Sequence, residues 1–370
     1  MDSIHNKMEH TARYMALVNG QQQGALATLS RGGLYSLSWV YRLLIGFRNF
    51  AYDYVKWPRW LGVPVISVGN LTVGGTGKTP MVLWLCHALL ERDFKPGVLS
   101  RGYKASDEGL ADELLLIARR YPRVVAVANP DRVRAGQLAV EEYGIQAAVL
   151  DDGFQHRRLG RDLDIVMIDA TRPFGYGHIL PRGLLREPMA SLRRAHVIVL
   201  TRCDQCEPRS LRQVEASIRQ VVEEVPIVRA VHRPTGFVDL QGEKVDPPTD
   251  GRIGCFAGIA HPEALAETLT QMYLTPTETR WWADHHVYTE ADFEAICSWV
   301  AEAELDYLVT SEKDAVKLAE LDVAWPVPVA SLCIRIDLLA DGEQVLNDMI
   351  DAVLESYEEA DECEAEQTES

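Results

Sequence analysis

The stretch from Gly69 to Pro80 constrains the fold more than any other part of the chain. It reads Gly-Asn-Leu-Thr-Val-Gly-Gly-Thr-Gly-Lys-Thr-Pro, follows the apolar run 64–68 and precedes a helical pattern over 81–92. A strand, a glycine-rich turn and a helix form a phosphate-binding loop, because glycines let backbone N–H groups curl around a phosphate and the helix N-terminus favours an anion. The alternative, an incidental glycine-rich surface loop, is disfavoured by the flanking strand and helix.

The loop also predicts which groups contact a nucleotide. Lys78 can reach the β- and γ-phosphates, and the Thr79 hydroxyl can bind Mg²⁺. One residue departs from the G-x-x-x-x-G-K-[ST] pattern, since Thr72 stands where the first glycine would be. The predicted phosphate-binding residues are Gly74, Gly75, Thr76, Gly77, Lys78 and Thr79.

Short apolar runs alternate with helical patterns after this loop. Such runs are typical of parallel strands buried on both faces. We therefore expect an α/β fold of the P-loop NTPase type, a parallel sheet with helices on both faces, and ligands at the carboxyl ends of the strands. The runs lie at 65–68, 97–99, 124–128, 147–150, 165–168 and 197–200.

Composition changes along the 370 residues predict five parts. A boundary near 231–251, rich in Pro, Gly and charge, separates a core domain from a smaller second α/β domain. Eight acids and no base over 355–369 predict a disordered, solvating tail, and they contribute much of the net charge of −17. The parts are a polar extension (1–30), an amphipathic, membrane-associated helix (31–60), the kinase core (61–235), the second domain (236–355) and the tail (356–370).

The overall composition excludes some classes of function. An acidic protein is a poor candidate for binding nucleic acid. Seven scattered cysteines favour a reducing compartment, and Cys203-Asp-Gln-Cys206 has no second pair that would complete a zinc site. No secretory signal is recognisable at the N-terminus.

The segment Leu34–Tyr54 is rich in Leu, Trp, Tyr and Phe, with Arg42 and Arg48 among them. It is too interrupted for a transmembrane helix. Aromatic residues with arginines fit a helix that lies in a membrane interface, whereas an amphipathic helix packed on the protein's own body fits equally well.

Polar residues follow the strand at 147–150. Asp151 and Asp152 come directly after it, as a Mg²⁺ site in a P-loop enzyme requires, and Gln155 and His156 can orient water or phosphate. The alternative is a pair of helix-capping aspartates. After the strand at 97–99, Arg101 is either a phosphate ligand or part of a surface turn.

A basic stretch lies between residues 157 and 194, with eight arginines against four acids. Arginine suits bidentate contact with phosphate, so an anionic substrate or lipid headgroup is one interpretation and a solvated charged face is the other. Within this stretch, Glu187 follows Arg186 and can bind the metal or pair with a guanidinium. Farther on, Thr201-Arg-Cys-Asp204 loosely resembles the base-reading motif of GTPases.

Taken together in this order, ISVGNLTVGGTGKTP, SRGY, LDDGFQHRRL, LPRGLLREP, DHHVY and LVTSEKDAVKL resemble the tetraacyldisaccharide 4′-kinase family, the lipid A 4′-kinases. The resemblance runs from about residue 34 to about residue 339. It implies transfer of the ATP γ-phosphate to the 4′-hydroxyl of a lipid A disaccharide 1-phosphate, giving lipid IV-A. It also implies Mg²⁺, a P-loop domain with a smaller second domain, and a peripheral position on the cytoplasmic face of the bacterial inner membrane, with no obligate protein partner.

The resemblance assigns roles on the nucleotide side. Lys78 and Thr79 become the phosphate and Mg²⁺ residues, with Lys78 also counted as catalytic. Asp151 and Asp152 correspond to metal-binding carboxylates, with Glu187 near the metal. The residues expected to contact the substrate are Arg101, Gln155, His156 and Arg186.

The resemblance also implies a general base and its histidine partner. The family's acid lies in a Gly-Asp-Glu-Pro motif after SRGY, and the nearest match here makes Asp112 the base and His285 its partner. This sequence departs from the motif, because Ala111 replaces its glycine and Leu114 its proline.

Two other functions remain open on the residues alone. A nucleotide-switch GTPase or ATPase acting on a protein partner would use 201–204 to bind the base. A soluble kinase of a small molecule would need no membrane, and removal of residues 1–54 would leave it active.

Overall fold

The computed structural model describes residues 13–102, 112–248 and 251–369, with side chains as far as residue 360. The chain forms two compact units. Unit 1 comprises residues 1–101, 123–232 and 336–370, and unit 2 comprises 102–122 and 233–335. The division near residue 232 lies close to the predicted boundary, but 102–122 belongs to unit 2, whereas the sequence placed it in the core domain.

The helices longer than one turn are α1 (Ala25–Tyr54), α2 (Lys78–Glu91), α3 (Asp112–Arg120), α4 (Arg132–Glu141), α5 (Pro208–Arg219), α6 (Glu263–Gln271), α7 (Glu290–Glu302), α8 (Glu312–Leu318) and α9 (Gly342–Glu369). The strands are β1 (Val65–Asn70), β2 (Pro96–Ser100), β3 (Val125–Ala128), β4 (Ala147–Asp151), β5 (Leu163–Asp169), β6 (Val197–Thr201), β7 (Ile227–Asp239), β8 (Lys244–Val245), β9 (Ile253–Ala257), β10 (Glu278–Trp281), β11 (Tyr307–Ser311) and β12 (Val329–Leu338).

Unit 1 contains a parallel sheet in the order β7-β6-β5-β1-β4-β2-β3, to which β7 contributes its first residues. Every residue of β1, β4 and β5 is buried, as expected for strands covered on both faces. This confirms the predicted α/β fold of the P-loop type.

The register of β1 and β4 places the predicted site residues at one edge of this sheet. Val68 of β1 pairs with Asp151, the last residue of β4, so the phosphate-binding loop and the aspartates leave neighbouring strands at the same end. The backbones there approach closely: a Cβ added at Gly69 would lie 2.4 Å from Cβ of Phe154. Glycine at position 69 is therefore required by packing.

Unit 2 has its own parallel sheet, in the order β10-β9-β11-β12. Its core is built around the fully buried Trp299 of α7 and Phe256 of β9. Helix α8 packs against α3, so the segment before residue 122 is held in this unit. The sequence predicted β9, β11 and three of the four later helices, but it missed β10 and treated much of β7 as a linker.

Helix α1 carries its apolar side outward. Ser38 is its only buried residue, and Ser38 Oγ donates to the carbonyl of Ile179 at 3.0 Å. Among the described residues, no helix is long and apolar enough to cross a membrane. The large apolar residues of α1 that are exposed are Leu26, Leu29, Tyr35, Leu37, Trp39, Val40, Leu43, Leu44, Phe47, Phe50 and Tyr54.

Both ends of the chain contain more structure than the sequence indicated. Near the N-terminus, Tyr14 donates to the carbonyl of Pro181 at 2.8 Å and Val18 is buried, although this region was expected to lack packing. At the other end, α9 continues to Glu369 instead of ending near Glu355. Glutamate and alanine are good helix formers, so the acidic composition that suggested disorder also permits a helix.

Candidate active site

The phosphate-binding loop of unit 1 joins β1 to α2. β1 ends at Asn70 and α2 begins at Lys78. Gly77 caps α2 with φ of 83°, a left-handed conformation that residues with a side chain rarely adopt. A Cβ at this position would also lie 2.7 Å from Nε2 of His232. Two independent constraints thus require glycine where the loop enters the helix.

The loop offers its backbone donors to a ligand. Among residues 13–102, 112–248 and 251–369, four successive N–H groups donate to no backbone carbonyl, while the buried Oγ1 of Thr76 also has no partner there. Unpaired amides at a helix N-terminus are the arrangement that binds phosphate. The loop therefore fits the triphosphate of a nucleotide. These N–H groups belong to Gly74, Gly75, Thr76 and Gly77.

Asp152 lies between two cations at this edge of the sheet. Its Oδ1 is 3.4 Å from Nζ of Lys78, and Nη1 of Arg186 donates to both carboxylate oxygens at 2.9 and 2.8 Å. Burial alone would raise the pKa of Asp152, but Lys78 and Arg186 outweigh it and lower the pKa. Asp152 is therefore ionised and holds the lysine of the loop beside Arg186.

Thr79 and Asp151 provide the oxygen ligands that Mg²⁺ prefers. Thr79 is the second residue of α2, and the buried Asp151 ends the strand next to β1. Within the described parts of the chain, no group of three or more His, Cys, Asp or Glu residues is arranged to hold a metal. Mg²⁺ in kinases usually takes one or two carboxylates and completes its shell with waters and phosphates. These residues fit a Mg²⁺ ion shared with ATP.

Glu187, predicted near the metal, is fully buried and anchors other side chains. Its Oε2 accepts hydrogen bonds from Asn49 at 2.9 Å, from Ser191 at 2.9 Å and from Arg194 at 3.0 Å. Burial raises its pKa, but Arg194 and these hydrogen bonds lower it overall. Oε1 is buried with no partner among the residues that the structure describes. A role near the metal stays a prediction, whereas contact with α1 is observed.

Gln155 connects the predicted substrate residues to the loop. Its Nε2 donates to the carbonyl of Asn70 at 2.9 Å, and its Oε1 accepts from Arg186 at 3.2 Å. Burial and the charge of Arg132 lower the pKa of His156 to about 4, so this imidazole is neutral at physiological pH. Arg101 is exposed directly after β2 and joins none of these contacts.

Helix α1 contacts the same set of residues, which the sequence did not predict. Tyr41 donates to the carbonyl of Arg186 at 3.1 Å, and Arg48 donates to the carbonyl of Gln155. Polar residues that recur along one side of a predominantly apolar helix were the available signal.

Unit 2 brings together the predicted base and its partner. Asp112 begins α3, and its Oδ2 lies 3.2 Å from Nδ1 of His285. His285 adopts φ of 58°, and its N–H donates to the carbonyl of Gly258 at 3.1 Å. The hydrogen bond from Asp112 raises the pKa of His285. The prediction that these two residues pair is consistent with this geometry, while Ala111 lies outside the described residues.

A buried lysine completes this arrangement. Nζ of Lys317 lies 3.4 Å from Oδ2 of Asp112, 2.9 Å from Oδ1 of Asp314, and donates to the carbonyl of His286 at 3.0 Å. Burial raises the pKa of Asp112, but His285 and Lys317 outweigh this effect and lower it. The carboxylate is therefore ionised at neutral pH and ready to accept a hydrogen bond.

The sequence drew attention to Lys313 but not to Lys317. Lys313 pairs with Glu113, the neighbour of Asp112. The two lysines are four residues apart and hence lie on one side of α8, which was the signal for the second one.

Fold and site together define a phosphotransferase of the P-loop class. The family model for tetraacyldisaccharide-1-P 4′-kinase matches residues 31–355. The chain therefore belongs to the tetraacyldisaccharide-1-P 4′-kinase family, as the sequence motifs indicated. It is a kinase, and the nucleotide-switch alternative is not favoured.

Known proteins agree with this assignment. The chain is 36% identical to tetraacyldisaccharide 4′-kinase of Anaeromyxobacter sp. (strain K), over 90% of this chain and 93% of that protein. It is 38% identical to the enzyme of that name from Syntrophotalea carbinolica, over 86% and 91%. A crystal structure of LpxK from Aquifex aeolicus in complex with ATP has a TM-score of 0.69 and 29% identity, and the match covers 88% of this chain and 99% of that one.

The conformation of Gly77 predicts a specific loss of nucleotide binding. We expect Gly77→Ala to weaken ATP binding by roughly tenfold or more, because a left-handed alanine costs about 1–2 kcal/mol and its Cβ contacts His232. Isothermal titration with ATP measures the effect. Gly144→Ala is the control, since Gly144 also has positive φ but nothing within 4 Å of its added Cβ. Equal ATP affinities in the two variants would contradict this prediction.

Proposed function

We propose that this chain transfers the γ-phosphate of ATP to the 4′-hydroxyl of a tetraacyldisaccharide 1-phosphate in lipid A synthesis, with Lys78 and Asp112 as its principal catalytic residues. The observation that supports this most directly is the phosphate-binding loop with unpaired amides and Lys78 beside Asp152, in a chain of this kinase family. Loops of this kind bind the β- and γ-phosphates of a nucleotide.

Unit 1 handles the phosphate. Phosphoryl transfer has a loose transition state and depends on positioning and charge neutralisation more than on covalent chemistry. The loop amides and Lys78 stabilise the charge on the γ-phosphate as its bond to the leaving ADP breaks. Mg²⁺, bound by Thr79 and by Asp151 and Asp152, supplies further positive charge when present.

Asp112 accepts the proton of the sugar hydroxyl as the new phosphorus–oxygen bond forms. Its carboxylate is ionised, and His285 and Lys317 fix it in one orientation. The geometry requires His285 to be a positioning residue that acts through Asp112.

The arginines and polar residues near Asp152 suit the anionic substrate. Arg186 presents a guanidinium beside Gln155, and Arg101 is exposed to solvent. Guanidinium groups bind phosphate in bidentate geometry, so contact with the substrate's own 1-phosphate is the role we assign to them. His156 contributes as a neutral donor or acceptor.

Helix α1 supports a membrane-surface location at the cytoplasmic face of the inner membrane. Its polar side is hydrogen-bonded to the protein, while residues such as Leu43 and Phe47 expose most of their surface. A soluble protein rarely exposes a continuous apolar face of this size unless it binds a partner or lipid. An interfacial helix with arginines binds anionic lipid surfaces, where the acylated substrate resides.

The reaction itself is tested with labelled ATP and tetraacyldisaccharide 1-phosphate in detergent micelles. We expect labelled lipid from the wild type, and we expect Asp112→Asn and His285→Asn to lower kcat by roughly a hundredfold or more, with little change in KM. Hydrolysis of GTP with no labelled lipid would contradict the proposed function, and a wild-type rate for Asp112→Asn would remove this residue from the base role.

Lys317 gives the base a characteristic pH dependence. Removal of this cation disfavours the carboxylate form, so the pKa of Asp112 rises and the acid limb of kcat/KM moves to higher pH. We expect Lys317→Met to shift the limb upward by about one pH unit. Lys313→Met, which removes the partner of Glu113, is the matched control and is expected to shift it less. Superimposable profiles for wild type and Lys317→Met would show that Lys317 does not act on the base.

The exposed face of α1 predicts lipid binding. We expect the double variant Leu43→Glu and Phe47→Glu to reduce sedimentation with phosphatidylethanolamine–phosphatidylglycerol vesicles severalfold, because two charges replace apolar surface. Tyr143→Glu changes an exposed aromatic residue outside α1 and serves as control. Undiminished sedimentation of the double variant would exclude this face as the membrane contact.

A further inference from the structure

The backbone carbonyls of the phosphate-binding loop are held by side chains outside the loop. Thr201 Oγ1 donates to the carbonyl of Thr76 at 3.1 Å, and Nη1 of Arg202 donates to the carbonyl of Gly75 at 3.2 Å. The N–H groups of these same loop residues have no acceptor among the described residues. The two kinds of backbone group are thus treated oppositely: carbonyls are bound from behind, and amides are left available.

The positions of Thr201 and Arg202 follow from the sheet. Thr201 ends β6 and pairs in register with Asp169, which ends β5. Because β5 lies next to β1, the ends of these strands reach the loop that follows β1. Thr201 is fully buried, and its methyl Cγ2 would lie 3.3 Å from a Cβ at Gly77.

Asp169 fixes the guanidinium of Arg202. The carboxylate is buried; Oδ2 accepts from Arg202, and Oδ1 accepts from the N–H and hydroxyl of Thr171 at 2.9 and 2.6 Å. Arg202 also has φ of 55°, a conformation that a residue with a side chain keeps only where its surroundings determine it. A charged donor held this firmly fixes the carbonyl it contacts.

We propose that Thr201 and Arg202 are positioning residues for ATP, which act by holding the carbonyls of Thr76 and Gly75 away from the phosphates so that the loop amides face them. A carbonyl oxygen carries partial negative charge, so one that turned toward a triphosphate would repel it. The motif at 201–204 thereby has a function that does not involve reading the base. The proposal rests on the proposed function only in that the loop binds ATP.

The role predicts a loss of affinity for ATP in the complete protein. Thr201→Val keeps the shape but removes the hydroxyl donor, and Arg202→Met removes the guanidinium. We expect each to raise the Kd for ATP and the KM for ATP by roughly tenfold, which corresponds to about 1.4 kcal/mol, with an unchanged KM for the lipid acceptor. Thr201→Ser retains the hydroxyl and is expected to restore the wild-type Kd. Arg229→Met removes an arginine of the same sheet that pairs with Glu215 and is the arginine control.

Isothermal titration with ATP and the thermal shift caused by ATP provide readouts besides catalysis. Wild-type ATP affinity in both Thr201→Val and Arg202→Met overturns the proposal. If Arg202→Met does not fold, the comparison of Thr201→Val with Thr201→Ser decides, and equal affinities in that pair overturn it. Absence of ATP binding in the wild type itself would contradict the proposed function and is distinguishable from these outcomes.

Discussion

The arrangement of unit 1 depends on one carboxylate placed between two cations. Asp152 holds Lys78 on one side and Arg186 on the other, and without it two positive charges would lie unpaired at the edge of the sheet. The same carboxylate connects three segments that are far apart in sequence. Because Arg186 also contacts Gln155 and Tyr41, the loop, the strand end and helix α1 form one hydrogen-bonded set. An ionised group within reach of several donors is well suited to such a task.

The local parts of this structure could be predicted from sequence. The strands appear as apolar runs because both faces of the sheet are buried, and the phosphate-binding loop appears because only glycine tolerates the backbone at positions such as Gly77. The same holds for the aspartates, since Asp151 ends a buried strand and the register brings strand ends together. The pairing of Asp112 with His285 was different: it came from family resemblance, since the two residues are separated by 173 positions.

Contacts between distant segments had no local signature. Nothing in the composition of α1 indicates that Asn49 reaches Glu187, and a carboxylate among arginines suits a metal as well as a hydrogen-bond network. Strand β7 was taken for a linker because proline and glycine lie in its second half, although edge positions and bulges tolerate them. The acidic end of α9 shows the same limit, because charge predicts solvation and helix propensity predicts structure, and composition cannot rank the two.

The inverted polarity of α1 has a consequence for how measurements on this protein are interpreted. Its polar side is joined by hydrogen bonds to Gln155, Arg186 and Glu187, and its apolar side is exposed. Whatever medium covers the apolar side, a detergent micelle, a bilayer or another protein, exerts its force on a helix that contacts the neighbours of Asp152. Detergent choice, bilayer thickness and lipid packing are therefore variables of catalytic geometry, and rates measured in different media compare different conformations of the site as well as different substrate concentrations.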